Sequence, residues 1–458
     1  MKLFGLAQEI YDHVKELPII SPHGHVDSAT LLDDRPLGEP STALIRPDHY
    51  ITRLMHSHGF DYEGLYFGQD LDYNQGEAVF IDFARFLPKM AGTTVAYWLD
   101  MQLREYFSLS CEEVVASPKA AYAHLSVELN SARFRPSAIL NGANVSVLAT
   151  TDSYSSDLSI HGEIAWKGKV KGSVKPAFRP EGIFDIAQIQ WTVELGRLST
   201  ATDVEVTSFA SMKIALKKSI EYFLENGAIS IDISPRSFAS HRLSDAVVED
   251  IFARRVSGGI EALAPGESDA FMENMTFLMV ELACEFSLPI TIHPGIIRNH
   301  HLETLTKYGA DKGGDVPRQV LAADDLSEVL NRFGTSKKLK LTLFTVDETI
   351  YSRELAPLAG FYPSVFIGYP WWFIDSPQGL GRFFDAVVPQ VGFYKLSGFI
   401  DDTRALLSIP TRHRMARSSE AKYLAALVQE GFITVERAFK VATDLVSEIP
   451  SNCFSLKV

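Results

Sequence analysis

Short apolar runs bounded by polar or turn-forming residues recur along the chain. They are Leu17–His23, Val145–Asp152, Val174–Phe178, Ala228–Ser234, Leu288–His293, Leu339–Phe344, Val365–Tyr369 and Gly392–Phe399. Runs of this length predict buried strands. Between several of them the period changes to that of a helix. In Lys213–Asn226, Ile214, Ile220, Phe223 and Leu224 fall on one helical face, Gly227 follows as a C-cap candidate, and Ala228–Ser234 begins the next strand. Phe277–Ser287 leads in the same way into Leu288–His293. Eight strands alternating with helices predict an α/β fold, a (β/α)8 barrel of the TIM type. A doubly wound open sheet is the rival architecture, but no glycine-rich phosphate loop follows the first strand.

A barrel of this kind needs about 250 residues, and the chain has 458. The surplus is expected as insertions. We assign the barrel to residues 1–25 and 145–446, a mainly helical insertion to 26–144, and a C-terminal tail to 447–458. Helices are predicted in the insertion over Val79–Met90 and Thr94–Phe107. A second insertion is expected over Pro235–Asn274, where the polar run Ser257–Ser268 reads as a surface loop or lid. Ser418–Val446 reads as a closing helical segment.

Composition narrows the functional classes. With 46% hydrophobic and 22% charged residues the chain is an ordinary soluble one, large enough for a substantial core. A net charge of −14 argues against nucleic acid as the main partner, because neutralising phosphates needs a basic face. A few buried arginines can still favour a small anion locally. Cys111, Cys284 and Cys453 are far apart and form no C-x-x-C pair, so neither a disulfide framework nor a cysteine zinc site is expected. No secretory signal is read at the start, and no apolar run reaches the roughly 18–20 residues that span a bilayer. A cytoplasmic location, no membrane partner and assembly as a homo-oligomer are expected.

In a barrel the chemistry lies at the C-terminal ends of the strands. The first strand ends in Ser21-Pro22-His23-Gly24-His25, and residues i and i+2 of a strand point the same way. Two imidazoles side by side can hold a divalent transition metal. His293 ends the fifth strand, and Asp401, Asp402 and Arg404 end the eighth. Two histidines, a third across the barrel and one aspartate make a plausible mononuclear site for zinc, with manganese or iron(II) as alternatives. Each residue also has a plainer reading. His293 can be a hydrogen-bonded core histidine, Asp402 a helix cap, and Asp401 is as legal a ligand as Asp402. Arg179, Arg298 and Arg404 lie just beyond strand ends, and a guanidinium fork suits carboxylates. Together they suggest an anionic substrate, although each can instead be a structural ion pair. Asp232 ends the fourth strand and Thr150-Thr151-Asp152 the second. Asp48 is an N-cap candidate, with His49 and Tyr50 beside it as proton carriers or plain surface residues. Trp371 and Trp372 read as wall packing.

Taken together, several segments resemble the uronate isomerase (glucuronate isomerase) family of the amidohydrolase superfamily. They are His23-Gly24-His25, Asp48-His49-Tyr50 through Arg53, Thr150-Thr151-Asp152, Phe178-Arg179-Pro180, His293-Pro294-Gly295-Ile296-Ile297-Arg298-Asn299, Trp371-Trp372-Phe373-Ile374-Asp375, and Asp402-Thr403-Arg404 through Thr411-Arg412-His413. The resemblance covers most of the chain. It implies a distorted barrel that interconverts D-glucuronate with D-fructuronate and D-galacturonate with D-tagaturonate. It implies metal positions at His23, His25 and Asp402, with His293 at or beside the metal. His49, Tyr50, Arg179, Asp232, Arg298 and Arg404 become substrate or proton-transfer positions; beside them, on its residue type alone, Trp371 is expected to contact the substrate by stacking on the sugar ring. Two residues depart from the family pattern: Ser21 stands where an acidic residue is usual, and Ile233 where a histidine usually follows Asp232.

The chemistry expected is a cis-enediol route in which Tyr50 or His49 carries the proton, neighbouring arginines lower the phenol pKa, and Asp402 assists ring opening. The competing readings are a metal-dependent hydrolase or lactonase of a sugar acid, and a barrel that binds sugar acids without turnover.

Overall fold

The computed structural model describes residues 2–456. Met1, and residues 457 and 458 of the expected tail, lie outside the described residues. The strands are β1 (Ile19–Ser21), β2 (Val145–Ser153), β3 (Ser173–Arg179), β4 (Ser230–Ile233), β5 (Ile290–Ile292), β6 (Ile296–Ile297), β7 (Val316–Pro317), β8 (Leu341–Leu343) and β9 (Val365–Ile367). Seven of them form one parallel sheet in the order β1-β2-β3-β4-β5-β8-β9, while β6 and β7 pair as a small separate ribbon. Parallel order, with helices between strands, follows from apolar runs buried on both faces. Ile231, Ile290, Ile292, Leu341, Leu343, Val365 and Ile367 are all fully buried.

The eighth strand expected over Gly392–Phe399 is reduced to one bridge, Ile367 to Leu396. Two backbone bonds flank it: Ile367 N–H to Lys395 O at 2.8 Å, and Ser397 N–H to Ile367 O at 2.9 Å. Gly392 and Gly398 take φ of +68° and +75°, outside the β region, and so bracket what pairing is left. The two edges of the curled sheet meet through His25 N–H to Thr403 O at 3.0 Å. The fold is a distorted barrel of the expected class, with a seam between its first strand and its last.

The long link between β1 and β2 is helical, including Ser28–Asp33, His49–Ser57, Tyr73–Phe86, Thr94–Phe107 and Pro118–Leu129. The helix predicted over Val79–Met90 begins earlier, at Tyr73, and ends at Phe86. A 3₁₀ turn over Leu87–Met90 follows, because Pro88 has no N–H to continue the helical hydrogen-bond ladder. One apolar core runs through link and barrel alike, joining Trp98 and Leu103 to Leu148 and Met415. The helix predicted over Lys213–Asn226 is Phe209–Glu225. It buries Met212, Leu216, Ile220 and Phe223, and leaves Ile214 exposed. The run Ser257–Ser268 gives its ends to the flanking helices Asp245–Gly258 and Glu267–Phe286, and Ile260–Ala262 between them forms a 3₁₀ turn. It is therefore a short connection and not a lid. Ser408–Gln429 and Val435–Val446 close the barrel. Glu448–Cys453 packs beneath it, with Cys453 buried against Thr342. No described helix is long and apolar enough to cross a membrane.

Candidate active site and metal centre

The residues picked out at strand ends converge. His23 and His25 lie in the extended segment just after β1, with their rings 5.3 Å apart. His23 Nε2 is 3.3 Å, and His25 Nε2 3.0 Å, from Asp402 Oδ1. Asp402 occupies the left-handed region at φ +44°, which aspartate tolerates better than most residues. Asp401 turns the other way: its Oδ2 lies 3.1 Å from His413 Nε2, and the Arg412 guanidinium donates to its carbonyl oxygen. Of the two candidates, Asp402 is the one that reaches the histidine pair.

A second group of donors shares His23. Asp232 Oδ1 is 3.8 Å from His23 Nδ1 and 2.9 Å from His293 Nδ1, and it accepts from Thr291 Oγ1 at 2.8 Å. Asp232, expected among the substrate contacts, thus lies beneath the histidines and is only 1% exposed. The donor atoms of His23, His25 and Asp402 lie within 4.8 Å of one another, as do those of His23, Asp232 and His293. His293 is sandwiched by stacking on Phe344, with ring centres 4.2 Å apart, and on His23 at 4.6 Å. Gly368 makes the first contact possible, since a Cβ there would lie 2.1–2.4 Å from the Phe344 ring.

These residues fit a divalent metal. They offer imidazole nitrogens and carboxylate oxygens, the ligand set of zinc, manganese or iron(II). Several of the atoms are buried with no hydrogen-bond partner in the protein: His23 Nδ1, both ring nitrogens of His293, and Asp402 Oδ1. Buried polar atoms are ordinarily satisfied. The charges agree. Burial opposes ionisation of Asp402, but the imidazoles of His23 and His25 beside it hold its carboxyl well below the ordinary range. Burial first, with the neighbouring His23, pushes His25 and His293 down, toward the neutral form that ligates metals, while Asp232 and Asp402 hold His23 up against its burial. His25 Nδ1 is fixed by Thr151 Oγ1 at 2.7 Å, which orients the ring that faces Asp402.

Above this floor is a cavity lined by His25, His49, Tyr50, Arg298, Asp311, Trp371, Trp372, Asp402, Arg404 and Arg412, among others. Asp48 caps the helix His49–Ser57, accepting from Tyr50 N–H at 2.9 Å, and so points His49 and Tyr50 at the cavity. Their rings stack 4.9 Å apart. Burial, with the cation of Arg404, lowers His49 to about 4. For Tyr50 the expectation fails. Burial and the Asp375 carboxylate drive the phenol well above its usual value, and Arg412, 5.4 Å from the ring centre, does not offset them. A cation near a ring lowers the phenol pKa only if it outweighs desolvation.

The arginines divide into two settings. Arg179 Nε lies 3.2 Å from Glu181 and 3.7 Å from Asp232, with Nη1 3.5 Å from His25 Nδ1, so it belongs to the floor. Arg298 and Arg404 are exposed at the rim, Arg298 over Trp372 at 4.6 Å and Arg404 paired with Asp311 at 2.8 Å. Trp371 packs edge-on against His293 at 4.9 Å. Sequence reasoning missed Asp311, in a polar loop without periodicity, and the buried pair Arg412–Asp375 at 3.7 Å. A buried arginine on an apolar helix face was the available signal for that pair. Burial raises Asp375 to about 7 despite Arg412.

Residues 4–454 match the family model described as Glucuronate isomerase (UxaC). The chain belongs to the glucuronate isomerase family. It is 37% identical to the uronate isomerase of Cutibacterium acnes over 98% of this chain and 95% of that one. The crystal structure of glucuronate isomerase from Caulobacter crescentus superposes with a TM-score of 0.94 at 33% identity, covering 99% of this chain and 94% of that one. Uronate isomerase from Thermotoga maritima shares the fold, with a TM-score of 0.91 at 23% identity over 99% and 100% of the two chains. Family membership over nearly the full length favours an isomerase over the hydrolase, lactonase and non-catalytic readings.

Proposed function

We propose that this enzyme interconverts D-glucuronate with D-fructuronate, and D-galacturonate with D-tagaturonate, by moving a proton between C2 and C1. One observation carries the assignment of roles: a single cavity has nitrogen and carboxylate donors at its floor, a neutral imidazole and a phenol on its wall, and arginines at its rim. His23, His25 and Asp402, with His293 alongside, would hold a divalent metal, zinc in our reading, that supplies a Lewis acid toward substrate oxygens.

The chain's own groups do the rest. Arg298 and Arg404 bind the C6 carboxylate, Arg404 also serving catalysis by holding the open chain in place. Asp402, ionised, accepts a hydroxyl proton as the ring opens. His49, neutral at pH 7, takes the C2 proton and returns it to C1 while the O2 hydroxyl proton passes to O1. Tyr50 stays protonated and donates to the oxygen that gains charge, and Arg179 stabilises the enediolate from the floor. Trp371 shapes the wall.

A reductase-coupled assay on both uronates, with and without chelator, tests the reading. Turnover that chelation abolishes and metal restores is expected; hydrolysis of uronolactones in its place would overturn it. In deuterated water the ketose should carry label at C1, whereas full retention of the C2 proton would replace the enediol by a hydride shift. We also propose a cytoplasmic homo-oligomer. Three free cysteines support a reducing compartment, and sedimentation at the mass of one chain would refute the assembly.

A further inference from the structure

The rim of the cavity holds one carboxylate among positive groups. Asp311 Oδ2 accepts from Arg404 Nη2 at 2.8 Å. Asp311 shares the cavity lining with Arg404, Arg298 and His49. Burial opposes its charge, but Arg404 first, then Arg298 and His49, hold its carboxyl below the ordinary range. Its position is built in. Asp311 sits at φ +60° in a turn that is pinned on two sides. Tyr62 Oη donates to Lys312 O at 2.6 Å. Gly313, at φ +81°, lies so close to the helix His49–Ser57 that a Cβ there would be 2.5 Å from Arg53 Cβ and 3.0 Å from the His49 carbonyl oxygen. A carboxylate on a pinned turn therefore faces the guanidinium that a sugar acid would use.

We propose that Asp311 occupies the fork of Arg404 in the substrate-free enzyme and yields it to the carboxylate of an incoming uronate, so that a sugar must carry a carboxylate to open the pair. A uronate exchanges one charge-assisted hydrogen bond for another. A neutral hexose offers nothing in return for breaking it, and so is disfavoured by the modest margin that an exposed ion pair supplies. The inference rests on the uronate isomerase reading and adds a specificity determinant to it. Asp311 acts through Arg404 and is a positioning residue.

Asp311→Asn is the test, because asparagine accepts the left-handed backbone as aspartate does. KM for D-glucuronate should fall several-fold, with kcat moving less, and the calorimetric Kd for D-glucuronate should fall in parallel. Asp311→Glu keeps a competing charge and should stay near the wild-type KM. Asp311→Gly, also uncharged and at ease with this backbone, repeats the measurement if the asparagine variant melts early. A KM and Kd that stay put or rise in the uncharged variants, at wild-type unfolding temperature, overturn the proposal. Calorimetry reads the competition without turnover. Tighter binding by an enzyme that isomerises neither uronate would sink the isomerase reading and support Asp311's role. Isomerisation without the tightening would sink Asp311's role alone.

Discussion

The floor of the cavity and its rim are built on different principles. The floor groups His23, His25, Asp232, His293 and Asp402 at the ends of β1, β4 and β5 and beside the residual eighth strand. There His23, Asp232 and His293 are buried and His25 and Asp402 half-buried, the five are mutually paired, and His293 is packed between Phe344 and Trp371. The rim takes His49 and Tyr50 from an inserted helix, and Arg298, Asp311 and Arg404 from loops; the arginines are open to solvent. Groups that must keep fixed distances sit on the scaffold. Groups that must meet a substrate and let it go sit on connections. Substitutions at the floor should therefore cost metal and activity together, and substitutions at the rim should cost activity alone.

The sharpest way to break the contrast is Asp402→Ala. Turnover should fall about a thousandfold, and elemental analysis should find the metal gone. Full metal content with activity intact would erase the distinction. Tyr50→Phe should lower kcat about a hundredfold, the usual scale of general acid–base catalysis, while metal content and KM hold. Equal turnover would remove Tyr50 from the chemistry. Thr151→Val tests the floor one step out. Without the hydroxyl that fixes His25 Nδ1, zinc affinity measured by competition with a chelator should drop about tenfold, with folding unchanged.

The smallest effect concerns pH. His49 titrates at about 4 in the fold and near the ordinary histidine value when unfolded, because burial disfavours its charge. The unfolded chain thus binds this proton more tightly. The contribution to stability is complete above about pH 6.5 and is lost as pH falls toward 4. In His49→Gln, urea unfolding should show that acid-side loss reduced by about 1 kcal/mol, after allowance for screening through the cavity mouth. An unchanged slope would place His49 in a more watery setting than its packing suggests.

The floor was legible in the sequence because strand ends are. His23, His25, His293 and Asp402 each follow an apolar run, and barrel topology gathers such ends at one mouth. What periodicity could not convey was direction. Asp232 ends a strand as expected yet turns under the histidines, and strand-end spacing does not separate Asp402, which the resemblance favoured, from Asp401. The rim was less legible. His49 and Tyr50 begin an ordinary amphipathic helix, and only the family resemblance raised them above surface residues. Tyr50's proton affinity depends on how deeply a neighbouring helix and Asp375 enclose it, a tertiary quantity with no local trace. Asp311 lies in a polar stretch that differs in no pattern from any solvated loop.

The thinned eighth strand has a mechanical consequence. With one main-chain hydrogen bond linking its margins among the described residues, the barrel behaves like a split ring. His23 and His25 belong to one lip, and Asp402 to the other. A cation gripped by all three would act as a rivet across the gap, so that loading the enzyme tightens the whole ring, and chelation should let the amides of Gly24–Val26 and Thr403–Ala405 exchange with solvent sooner than those of the sheet opposite.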